Sequence, residues 1–156
     1  MAKGGNVDFS ALRRFRDNLE KHFSAKEVDL FIESCAKELA ARLLAKVIKR
    51  TPVGQYPKGS GKKGGTLRRG WTGEKSGGAA AYAQSLKVHH FGDAVVIEII
   101  NPVEYASYVE FGHRTRDGGG WVAGRFMLTI SEQEIERDAP KVLENKLKKK
   151  LEGVFK

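Results

Sequence analysis

Four histidines, one cysteine and a scatter of serines and carboxylates are the side chains here that could act as base, nucleophile or metal ligand. Their spacing argues against most such chemistry. His89 and His90 are neighbours, so in a strand they point to opposite faces and cannot share an ion. There is no His-Glu-x-x-His pattern to join them to His22 or His113. Cys35, alone in the chain, can form neither an internal disulfide nor a cysteine-based zinc centre. It falls on the apolar stripe of a predicted helix, where a packed thiol fits better than a nucleophile. His113 beside Arg114 and Arg116 has the ingredients of a nuclease, an imidazole base with guanidinium groups for phosphate. A polar loop reaching another protein is the simpler reading of the same residues. The glycines of 54–65 lack the phosphate-loop spacing, and no Gly-x-Gly-x-x-Gly joins a strand to a helix. The expectation is a non-enzymatic chain with no catalytic, metal or cofactor site.

The elements that must position these residues follow from hydrophobic periodicity. At 156 residues the chain is read as a single domain. Leu12, Phe15, Leu19 and Phe23 predict a short amphipathic helix within 1–23. Ser24 and Glu27 form a capping box that opens a long helix over 24–50. Val28, Phe31, Ile32, Cys35, Leu39, Leu43 and Val47 are its apolar stripe, and Thr51-Pro52 ends it. Residues 51–65 read as a basic, glycine-rich loop. Residues 66–100 read as strands: Leu67–Trp71, then a hairpin of Ser85–His90 and Ala94–Ile100 turning at Gly92-Asp93. A short helix is expected over 104–112, with Tyr105, Tyr108 and Phe111 packed on the long helix. A second glycine-rich loop covers 113–124. Residues 125–156 form a C-terminal helical region that Pro140 should kink or divide. The fold class is α+β, with long N- and C-terminal helices on a small antiparallel sheet.

Charge is concentrated rather than spread. The chain carries a formal +9. Between Lys46 and Lys75 nine basic residues face Glu74 alone, and from Lys141 to Lys156 six lysines face two glutamates. Such clusters point to a polyanion or an acidic partner, or to solvated surface. A sequence-blind nucleic-acid-binding module acting through 46–75 is therefore one reading, with Tyr56 and Trp71 flanking the run. No helix-turn-helix, RNA-recognition or zinc-finger pattern accompanies it. No apolar run is long enough to span a membrane and no signal peptide is evident, so no membrane association and a reducing cytoplasm are the default expectations.

Three segments in order carry a resemblance. They are Thr51-Pro52-Val53 with Gly65-Thr66-Leu67-Arg68-Arg69-Gly70-Trp71; Asn101-Pro102 running through Tyr105-Ala106-Ser107-Tyr108-Val109-Glu110-Phe111-Gly112-His113-Arg114; and Gly124-Arg125-Phe126-Met127-Leu128. This order resembles the minor tail-component family of long-tailed bacteriophages and prophages, also called neck or tail-completion proteins. The Lys/Gly-rich insert between Val53 and Leu67 and the glycine-rich loop after Arg114 depart from the family pattern. The resemblance implies a structural virion protein, made in the host cytoplasm and placed where head meets tail. It implies a homo-oligomeric ring, commonly six-fold, around the axis through which DNA leaves the capsid, with other neck and tail proteins as partners. On that reading Arg50, Arg68, Arg69, Trp71, His113, Arg114, Arg116 and Trp121 are subunit-interface candidates. Lys58, Lys62 and Lys63, on a loop too glycine-rich to read bases, are candidates for facing DNA in the lumen.

Overall fold

The computed structural model describes residues 10–92 and 94–155. The side chains of Leu12 and Phe15, and Asp93 of the expected turn, lie outside the described residues. The fold is α+β, built around one long helix. Helix α1 spans Ser10–His22 and α2 Ala25–Arg50. The Ser24 hydroxyl accepts from the Glu27 amide at 3.3 Å, as the capping box requires. At the other end the Thr51 hydroxyl donates to the Val47 carbonyl at 2.6 Å, and Pro52 blocks a further turn.

The next segment differs from the sequence reading. Thr66–Gly70 is a short helix, α3, and Gly78–Ser85 is another, α4. Leu67, Gly70 and Trp71 are all buried, at steps of three and four that share one helix face but that a strand would split between its two faces. In α4 it is Ala79, Tyr82, Ala83 and Leu86 that pack on the core, again helical spacing. Alanine favours helix, and its small side chain lets α4 lie close along α2. The expected hairpin is present but short: β1 (His89–Phe91) pairs antiparallel with β2 (Ala94–Val96), His90 opposite Val95. Beyond Val96 no further strand pairing is present among the described residues until the second ribbon, and Ile97 and Ile99 pack on the core.

Helix α5 spans Ala106–Phe111. The expected loop over 113–124 is instead a second ribbon, β3 (Gly112–Arg114) against β4 (Trp121–Ala123). Its turn is closed by the Thr115 amide donating to the Gly120 carbonyl at 3.0 Å. Among the described residues the β-structure is thus two separate two-stranded ribbons. Helix α6 runs unbroken from Met127 to Val154, through Pro140. Ion pairs to α2 hold it on both sides of the proline: Glu134 to Lys46 and Arg50 before it, Lys146 to Glu38 after it. These offset the lost hydrogen bond that should have broken the helix.

The core joins α2, α3, α4 and the start of α6. Ala40, Leu44 and Val47 pack with Leu67, Trp71, Ala83 and Met127. Among the described residues no helix is long and apolar enough to cross a membrane.

Candidate functional site

Thr51 is fully buried where α2 ends, and it joins α2 to α3. Its hydroxyl, while donating back into α2, accepts from the Trp71 indole Nε1 at 2.8 Å. Its carbonyl accepts from Arg68 Nη2 at 2.7 Å and Nε at 3.2 Å. A buried hydroxyl and carbonyl at a helix end need such partners, because water does not reach them. Asn101 locks the other side of α3: its amide donates to the Leu67 carbonyl at 2.8 Å while its side-chain oxygen accepts from the Val103 amide at 3.1 Å. Asn101 packs so close that a Cβ on Gly70 would lie 2.3 Å from that oxygen. The Thr-Pro, Leu-Arg-Arg-Gly-Trp and Asn-Pro pieces are therefore one framework.

Glu110 is the second joint. It is only 6% exposed. Its carboxylate accepts from the Leu128 amide, the Thr129 amide and the Thr129 hydroxyl, at 2.9, 2.9 and 2.7 Å. It caps the N-terminus of α6 from another helix, where the unpaired amides and the helix dipole both favour a negative charge. Phe126, just before α6, has a positive φ of 48° and offers no side-chain cap. Its amide donates to the Glu110 carbonyl at 3.0 Å, and that of Arg125 to the Val109 carbonyl at 2.7 Å. Gly112 and Gly124 let these backbones meet. A Cβ on Gly124 would sit 2.3 Å from the Glu110 carbonyl oxygen, and Gly112 has a φ of 85°.

Turning Glu110 inward turns its neighbours outward. Tyr105, Tyr108 and Phe111, expected in the core, are 45%, 59% and 61% exposed. The helical spacing was legible, but the stripe faces away from α2. Trp121 and Val122, on the two faces of the second ribbon, and Phe126 and Ile130 at the start of α6 are exposed as well. The Phe111 and Phe126 rings meet edge to face with centroids 6.5 Å apart, and Tyr108 lies 5.8 Å from the His113 ring. A groove of about 240 Å³ opens beside Phe111, lined by Ile99, Ile100, Ala106, Met127 and Leu128. Aromatics on a helix fastened to α6 through Glu110 and on a closed ribbon form a ready contact surface.

The family model described as the bacteriophage HK97-gp10 tail component matches residues 13–112, well over half of the sequence. The chain belongs to the HK97-gp10-like family. No curated protein and no solved structure matches it. The matched stretch of this tail-component family runs from α1 to the first residue of the second ribbon. It includes the Thr51 framework and Glu110, while Trp121 and α6 lie beyond it.

In this family member the interface candidates divide in two. Arg50 donates to the Ser131 hydroxyl at 2.8 Å and to Glu134 at 2.7 Å, tying α2 to α6. Arg50, Arg68 and the buried Trp71 thus have their partners inside the subunit. Arg69, Arg114, Arg116 and Trp121 are exposed, and His113 partly so. His113 Nδ1 lies 2.8 Å from the Arg114 carbonyl, to which it donates. Lys58, Lys62 and Lys63 are exposed on the loop, with Lys62 over the Tyr56 ring at 5.8 Å.

Hydrogen bonds from Lys46 and Arg50 hold the Glu134 carboxyl below its usual range, and Lys146 and Arg42 do the same for Glu38. Desolvation chiefly pushes the Cys35 thiol upward, away from nucleophilic character. Among the described residues no group of three or more His, Cys, Asp or Glu side chains is placed to hold a metal ion. The sequence reading missed Thr51, Asn101 and Glu110 as joints. Thr51 before a proline carried a local signal, since that pair ends α2, whereas Asn101 before Pro102 lies between β2 and α5 and ends no element. Glu110, between two apolar residues, carried none.

Proposed function

We propose that the chain is a non-enzymatic structural subunit of a phage tail that assembles as a homo-oligomeric ring in the neck or tail-completion region of the virion. The observation that carries this reading is the outward aromatic face of α5 and the second ribbon. A monomer seldom leaves so many large aromatics in water, and tyrosine, tryptophan and phenylalanine are the residues that anchor interfaces. The groove beside Phe111 gives one subunit a recess that a side chain of the next can fill. Contact between two different surfaces of one chain closes into a ring under rotational symmetry, commonly six-fold in the family this chain resembles. Other phage structural proteins then meet the ring above and below.

The test is a variant carrying Tyr108→Ser, Phe111→Ser and Trp121→Ser. These residues are more than half exposed, so its melting temperature should match the wild type. Each truncated anchor should cost assembly about 2 kcal/mol. Light scattering should then find the variant monomeric at concentrations where the wild type forms a discrete oligomer. A folded variant that assembles like the wild type would refute the proposed face.

A further inference from the structure

Away from the aromatic face, the seam between the antiparallel α2 and α6 is a trough of cations. Its widest part, about 570 Å³, lies between Arg42 on α2 and Arg137, Lys141, Lys146 and Lys149 on α6. A second stretch shares Arg42, Asp138 and Val142 with it, and a third shares Lys46 with the second and adds Lys49 and Arg50. Along the seam eight cations face three carboxylates, Glu38, Glu134 and Asp138. Each of those carboxylates already bonds two cations: Glu38 takes Arg42 and Lys146, Glu134 takes Lys46 and Arg50, and Asp138 takes Lys46 and Arg137. They fasten the helices together and leave Lys49, Lys141 and Lys149 without an ion-pair partner among the described residues. Arg137, Lys141, Asn145 and Lys149 recur every fourth residue, one ridge of α6 rising about 6 Å per step.

We propose that the α2–α6 seam is a sequence-independent site for the phosphate backbone of duplex DNA. No aromatic residue lines the trough, and lysine dominates it. Protein interfaces have the opposite composition, and single-stranded sites need aromatics for base stacking. Duplex phosphates ask only for cations in a row. The expected DNA contact therefore moves from the 54–65 loop to the helix pair. The site does not depend on ring assembly, since none of its residues belongs to the aromatic face.

Binding of the full chain to a short mixed-sequence duplex, followed by fluorescence anisotropy from about 50 to 200 mM salt, tests this. A variant with Lys49→Gln, Lys141→Gln and Lys149→Gln breaks no ion pair and should melt like the wild type. Its log–log salt slope should fall by about 2.7, with affinity at least about tenfold weaker at the low-salt end. A variant with Lys58→Gln, Lys62→Gln and Lys63→Gln removes the same charge outside the trough and should change the slope by less than about 1. The proposal is overturned if the wild type does not bind the duplex at low salt. It is equally overturned if the loop variant loses as much as the seam variant, or if polyglutamate displaces the duplex at equal charge concentration, which would assign the trough to an acidic protein.

Discussion

Trp71→Ala should destabilise the folded subunit by about 3–5 kcal/mol, the range for removing a buried aromatic ring. Trp71 is 3% exposed and packs among Leu44, Val47, Leu67 and Met127. Its loss also deprives the Thr51 hydroxyl, which no water reaches, of a donor. At about 2–4 °C per kcal/mol for a chain of this length, the melting temperature should fall by roughly 10 °C. Trp71→Phe keeps most of the ring but not the indole donor, and should cost about 1–2 kcal/mol. Thermal unfolding by circular dichroism measures both. A Trp71→Ala variant that melts within a degree of the wild type would remove the Thr51 framework from the account.

Glu110→Ala should cost about 2–4 kcal/mol, because it leaves two amides and a hydroxyl at the start of α6 without their acceptor. Glu110→Gln keeps an acceptor but loses the charge at the helix N-terminus, and should fall between. Phe111→Ala, one position on, should cost less than about 1 kcal/mol, because that side chain is mostly in water. Denaturant unfolding of the three variants therefore reads the orientation of α5. Equal losses at 110 and 111 would mean that the helix is turned differently.

That contrast marks where the sequence was legible. The limits of α2 are local: Ser24 and Glu27 at one end, Thr51-Pro52 at the other. The α+β class and the position of α5 were likewise within reach of short-range pattern. The phase of α5 was not. Spacing places Tyr105, Tyr108 and Phe111 on one side of a helix but does not say which side meets the core. The choice falls to Glu110, whose partners lie 18 and 19 residues further on. Leu67–Trp71 was misread as a strand for the same reason, since Asn101 and Thr51 fix it from a distance. Glycines misled as well. Gly112 and Gly124 suggested a loose loop, whereas they are where two backbones come too close for any side chain. Among the site candidates, Arg50, Arg68 and Trp71 stood out in the sequence, but their partners proved to be internal.

The central claim is that the aromatics of α5 and the second ribbon face outward in the free subunit and are covered in the assembled tail. Hydroxyl-radical footprinting of the free protein and of purified phage tails measures this side chain by side chain. Tyr108, Phe111 and Trp121 should be modified readily in the free subunit and strongly protected in the tail, while Trp71 stays unreactive in both. Protection of Tyr108 and Phe111 already in the free monomer, or equal reactivity in monomer and tail, would contradict the account.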